Sequence, residues 1–188
     1  MHRALHAISV GLALAVATFE GHVDASTSLA VTFDALLGAS TAAATVTPMT
    51  QMSVWEGGRI VTYTEVHVDE LIAAKNLPDD VWVRSLGGDV GRLTQLVEGE
   101  ARFTLGRPSL VFLHPTSSGP YAVTARGQGQ LAVVRDPEGA LRLHQGARED
   151  GLLKPSPLPA SPFAIEVLDG ARVDEAVTTV REAWGRLH

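Results

Sequence analysis

Between residues 55 and 134, short alternating apolar runs are separated by single or paired glycines: "WEGGRIVTYTEVHVDEL", "VWVRSLGGDVGRL", "VEGEARFTLGRPSLVFLHP" and "YAVTARGQGQLAVV". Period-two alternation is the pattern of a half-buried strand, and glycine pairs supply the positive φ that tight hairpins demand. After the "EGGR" turn, Thr62, Thr64, Val66 and Val68 fall on one face and Val61, Tyr63, Glu65, His67 and Asp69 on the other. Glu65, His67 and Asp69 should therefore face water. Ahead of that turn, "TAAATVTPMTQMSVW" predicts a first strand with Pro48 at a bend or bulge. "SLVFLHP" is almost continuously apolar, as a central strand buried on both faces would be, and Pro115 ends it. "GPYAVTARGQGQLAVV" predicts a strand in which Gly127 and Gly129 mark a bulge or sharp bend, and "DPEGALRLH" predicts a last hairpin arm.

The pattern changes period at both ends of this block. In "LAVTFDALLGAS" a short helix is expected, with Thr32 as its cap, Phe33, Leu36 and Leu37 on one side and Gly38 at its end. Near the end of the chain, Val173, Ala176, Val177, Val180, Ala183, Trp184 and Leu187 recur at three- and four-residue intervals. They predict an amphipathic helix over residues 173–187, opened by Asp174 and Glu175 and closed by Arg181 and Arg186 in agreement with the helix dipole. Between block and helix, Pro155, Pro157, Pro159 and Pro162 predict an extended strap. The organisation expected is a secretory signal (1–25), a β-barrel domain (26–144), a proline-rich strap (145–162) and a C-terminal strand and helix packed on the barrel (163–188). The fold class is mainly β, a small OB-like or Greek-key barrel.

The signal rests on Arg3 at the start, an apolar run over residues 7–19, and the small residues Val23 and Ala25 placed for cleavage before Ser26. That run is too short to span a bilayer, and no later segment is long and uncharged enough to do so. The expected destination is periplasmic or extracellular. Without cysteine there is no disulfide framework, so the core alone must hold the domain together. Taking Arg3, Glu20 and Asp24 from the totals of 15 basic and 21 acidic residues leaves a formal charge of −5. With only 5% aromatic residues as well, nucleic acid is not an expected partner.

The order short helix, strand, "W-E-G-G-R-I-V-T" hairpin, "V-x-V-x-E-L", "V-x-V-R-x-L-G-G-x-V-G", "V-E-G-E-A-x-F-x-x-G-x-x-x-L-V-F-L" and "Y-x-V-x-x-x-x-Q-G-Q" resembles a large, uncharacterised family of exported bacterial proteins. These are turn and core residues, which imply a fold and no activity. More distantly, the layout is similar to the OB-fold barrels of netrin and metalloproteinase-inhibitor type. That resemblance implies a barrel with a terminal helix. The family's metal-chelating N-terminal cysteine has no counterpart here, so its inhibitory mechanism does not carry over.

Candidate chemistry is sparse. No Gly-x-Ser-x-Gly elbow, P-loop or His-Glu-x-x-His motif is present. Ser117 and Ser118 lie close to His114 in "HPTSSGP", a pattern that also fits a polar turn. Glu65, His67 and Asp69 are weak metal candidates on one strand face, although zinc sites want three or four converging ligands. Glu98 and Glu100 flank Gly99, but proximity in sequence does not establish the facing geometry of a glycosidase pair. No cofactor is expected. The leading expectation is a non-catalytic module that binds a protein or cell-envelope component, with Trp55, Tyr121 and Trp82 as contact residues because aromatics anchor interfaces. For Trp82, between two valines, core packing is the expected reading ahead of the contact role. The alternatives are a secreted hydrolase using His114 with a serine or carboxylate, and a loop-based protease inhibitor.

Overall fold

The computed structural model describes residues 28–74, 76–146 and 152–188. The expected signal and the Ser26 cleavage point lie outside the described residues. The described elements, in order, are β1 (Ser28–Leu29), α1 (Phe33–Gly38), β2 (Ala42–Glu56), β3 (Arg59–Ala73), β4 (Asp80–Leu86), β5 (Gly88–Val90), β6 (Leu93–Gln95), β7 (Ser109–Pro115), β8 (Tyr121–Val123), β9 (Gln130–Arg135), β10 (Leu141–Gln145), β11 (Leu152–Leu153), α2 (Ala164–Leu168) and α3 (Val173–Leu187).

Five strands close into a barrel in the order β7-β2-β3-β4-β8 and back to β7. All neighbours are antiparallel except β4 and β8, which meet in parallel at Val83 and Tyr121. This is an OB-like barrel. Beyond it the sheet continues from β7 into β9 and β10. Gly57 and Gly58, at φ 56° and 81°, make the tight turn of the long β2–β3 hairpin. Register shifts along β2, one of them at Pro48, bend this hairpin around the barrel.

Alternation along β2 and β7 divides the interior into two cores. Ala42, Ala44 and Val46 of β2, with Val111 and Leu113 of β7, point into the barrel beside Val66, Val81, Val83 and Val123. Ala43 of β2, with Leu110 and Phe112 of β7, points outward into a second core shared with Phe33, Leu36 and Leu37 of α1, Leu168 of α2, and Val177 and Val180 of α3. The expectation that "SLVFLHP" is buried on both faces is met: residues 109–113 are all buried. The terminal helix also packs on the barrel sheet. Its buried residues are Ala176, Val177, Val180 and Ala183, and Arg181 reaches Glu70 of β3 at 2.7 Å.

Two local readings change. "YAVTARGQGQLAVV" is not one bent strand. Residues 125–129 interrupt it between the register pairs Leu113↔Val123 and Val111↔Gln130, with Ala125 and Arg126 left-handed and Arg126–Gly129 forming a 3₁₀ turn. The interruption lets β8 leave for β4 and close the barrel, while β9 stays with β7 and leads to β10. The segment after β6, grouped above with the alternating runs, is largely irregular. Its Ala101 and Phe103 plug the barrel interior, and Gln51 Nε2 donates to the Phe103 carbonyl at 3.1 Å.

Gly129 is required because a Cβ there would collide with the carbonyl of Thr124. Gly129→Ala should cost about 1–3 kcal/mol, as overpacking against backbone does. Gly38→Ala, at an open position with ordinary φ, should be neutral or stabilise by at most about 1 kcal/mol. Urea denaturation of both variants checks the pair; equal effects would contradict the proposed crowding.

Candidate functional site

The sequence-predicted site residues are distributed by strand register. On β4, Val81, Val83 and Ser85 point inward, so Trp82 and Arg84 face out. Trp82 is 38% exposed, so its side chain is not part of the core. Register sets it opposite Glu65 of β3, and Tyr63 opposite both Met52 of β2 and Arg84 of β4. The β7–β8 turn is tied by the Thr116 N–H and Oγ1, which both donate to the Pro120 carbonyl at 3.0 and 2.6 Å. It delivers Pro120 and Tyr121 to the same face. Met52, Tyr63, Trp82, Pro120 and Tyr121 together line a recess of about 580 Å³ on the outside of the barrel.

The recess is apolar along Met52, Val54 and Trp82, and closed at one end by Pro78 and Asp80. Trp82 and Tyr121 are brought together here. Trp55 is not: it is 58% exposed, and alternation along β2 puts it on the opposite face from Met52 and Val54.

Two polar arrangements frame the recess. At one end Glu56 accepts from Tyr63 Oη (2.7 Å) and from Arg84 (2.9 Å), bridging β2, β3 and β4. The Tyr63 bond and then the Arg84 bond hold the Glu56 carboxyl below its usual range, while the same bond raises the Tyr63 phenol. At the other end His67 Nδ1 lies 2.8 Å from Asp80 Oδ1. The bond to Asp80, aided by the charges of Asp69 and Asp79, raises the imidazole. Carboxylates therefore gather at the Pro78 end.

The weak metal candidates do not converge. His67 is engaged by Asp80 on β4, and Asp69 accepts from Thr47 at 2.8 Å. Among the described residues there is no group of three histidines or carboxylates able to hold a metal ion. His114 and Ser118 are likewise engaged elsewhere. His114 Nδ1 pairs with Thr124 Oγ1 at 3.2 Å, and Ser118 Oγ with Thr116 Oγ1 at 3.0 Å within the turn. The arrangement supplies surface for contact and no nucleophile–base pair at these positions.

Glu100, considered in the sequence only as half of a carboxylate pair in a solvated turn, is instead held against the interruption between β8 and β9. Glu100 is nearly covered, at 10% side-chain exposure, and lies 3.5 Å from Arg126 in the interruption between β8 and β9. Around it, Gln128 Oε1 accepts from the Val31 N–H and Gln128 Nε2 donates to the Leu29 carbonyl, while Gln130 clamps both backbone groups of Arg102. The hydrophilic run "EGEARFT" gave no sign of burial, because the burial comes from a turn nearly thirty residues away in sequence. This cluster fastens β1 and the barrel plug to the interruption.

Comparison of the chain with protein-family models, with curated proteins and with solved structures finds no match. Among the described residues, no helix is long and apolar enough to cross a membrane.

Burial raises the Glu100 carboxyl above its ordinary value, opposed in part by the Arg126 charge. The folded protein then binds this proton more tightly than the unfolded chain does. The group's contribution is therefore fully present at low pH and lost as pH rises through the raised value. Glu100→Gln removes that slope, so the variant should gain stability relative to the parent between about pH 4 and about pH 7. Urea melts at both pH values check the sign; a variant that loses ground as pH rises would contradict it.

Proposed function

We propose that this chain is an exported, non-catalytic binding module that acts in the periplasm or outside the cell and captures a protein or cell-envelope component through the recess around Trp82 and Tyr121. The observation that carries this reading is an aromatic side chain held in the open on a rigid strand. Trp82 alternates with buried valines, so its position is fixed by the barrel core, yet its ring remains accessible beside Met52, Tyr63 and Tyr121. Burying large apolar groups of this kind contributes most of the energy at contact surfaces.

The location within the barrel supports the same reading. OB-type barrels bind along the outer face of their second and third strands and the adjoining loops. The corresponding strands are β3 and β4, which carry Tyr63 and Trp82, and the β7–β8 turn adds Tyr121. This support is an analogy of fold, and the residues themselves supply the chemistry. The carboxylates at the Pro78 end make phosphate-bearing partners unfavourable. Export is supported by the signal pattern at the start of the chain and by the resemblance to exported bacterial proteins. The lack of cysteine is compatible with either destination, because the two cores are closed without crosslinks.

Affinity capture from a cell-envelope extract tests the proposal, using the purified protein and three alanine variants. Trp82→Ala and Tyr121→Ala should each weaken capture of the partner by about tenfold or more while leaving the melting transition in place. Trp55→Ala, on the other face of the hairpin, should capture as the parent does. Undiminished capture by both recess variants would overturn the assignment.

A further inference from the structure

The recess has a chemical polarity that narrows its ligand. Its middle is formed by Trp82, Tyr121, Tyr63 and Met52, with Pro120 beside them. At the Pro78 end, Asp80 lies on the recess itself and Asp79 is exposed beside it, while Glu65 pairs in register with Trp82. Among the described residues, the cation facing this end is His67, and its imidazole is engaged by Asp80. At the other end the Arg84 charge is taken up by Glu56. Among the described residues, a ligand thus meets aromatic surface along most of its length and, at one end, the carboxylates of Asp79 and Asp80 with His67 alone beside them.

The recess lies on the outside of a closed barrel, where it contacts one side of a ligand. A flexible chain bound in that way would lose much conformational freedom for limited contact. A polyproline segment is extended before it binds, and its rings pack on aromatic grooves. Such segments also carry backbone carbonyls without internal partners, which suits the indole N–H of Trp82 and the phenol of Tyr121.

We propose that the recess takes a proline-rich, extended segment of another protein, with a lysine or arginine at the end that meets Asp79 and Asp80. This rests on the binding reading above and gives its partner a chemical class. Lipid chains and nucleic acid suit the recess less well: the first call for enclosure, the second for positive charge.

The test is calorimetric titration of the purified protein with two synthetic ten-residue peptides. Both are built of prolines and leucines, one ending in two arginines and the other in two glutamates. A third titration uses a β-1,4-linked glucose hexamer. The arginine peptide should bind about tenfold or more tightly than the glutamate peptide. Trp82→Ala should weaken it about tenfold or more. The combined variant Asp79→Asn, Asp80→Asn should reduce the difference between the two peptides to about twofold or less. That charge variant changes no apolar packing, so it remains informative should Trp82→Ala fold poorly. Equal binding of both peptides, binding that survives Trp82→Ala in a folded protein, or binding of the sugar alone would overturn the inference. If neither peptide binds while envelope capture still depends on Trp82, this inference falls and the recess remains the binding surface. If capture is also independent of Trp82, both fall.

Discussion

The structure depends on two strands that are buried on both faces. β2 and β7 form the wall between the barrel interior and the helical layer, and their side chains alternate between the two. Small residues at Ala42, Ala43 and Ala44 let the wall be thin, while Val111, Phe112 and Leu113 fill the spaces on either side. Each fully buried valine, leucine or phenylalanine contributes about 1.5–3 kcal/mol relative to leaving it exposed. Neither layer covers its own apolar surface without the wall. The absence of disulfides is tolerable for that reason, since the two cores share their central strands.

The recess follows from the same constraint. The edge of β7 is divided: β9 takes its first half and β8 its second. Because residues 125–129 absorb the change of course, β8 can bend away to β4 and close the barrel. Closing it there brings the turn carrying Pro120 and Tyr121 beside the outer face of β4, where Trp82 projects. The candidate surface is therefore a product of how the barrel is closed, and its aromatic residues come from strands well separated in sequence. The Glu56 bridge to Tyr63 and Arg84, together with the His67–Asp80 pair, fixes the two ends of this face. Neither arrangement needs burial, so both leave the recess open.

Much of the fold was legible because local rules and tertiary structure agree. The α1 cap at Thr32, the glycine hairpin, the bend at Pro48, the doubly buried β7 and the limits of α3 each follow from a pattern contained within one short segment. The interruption between β8 and β9 was less legible: its glycines announced a bend, but its length is set by the need to serve two partners. The burial of Glu100 was invisible, since Arg126 reaches it, and Gln128 and Gln130 fasten the neighbouring segments, only after the barrel is closed. The site was half legible. Trp82 and Tyr121 were singled out in the sequence as exposed-aromatic candidates, but which aromatics share a face depends on strand parity and barrel closure, and these separate Trp55 from the other two.

The central claim is that barrel and helical layer are one cooperative unit joined through β2 and β7. Native-state hydrogen exchange tests it directly by comparing the amide of Val111 in β7 with that of Val180 in the middle of α3. Both are deeply buried, so fraying at an edge does not explain a difference between them. The account predicts that the two amides exchange with the same opening free energy, equal to that of global unfolding, and respond alike to denaturant. If Val180 instead exchanges through a much cheaper opening that leaves Val111 protected, the helical layer is an appendage of an independent barrel and the account is wrong.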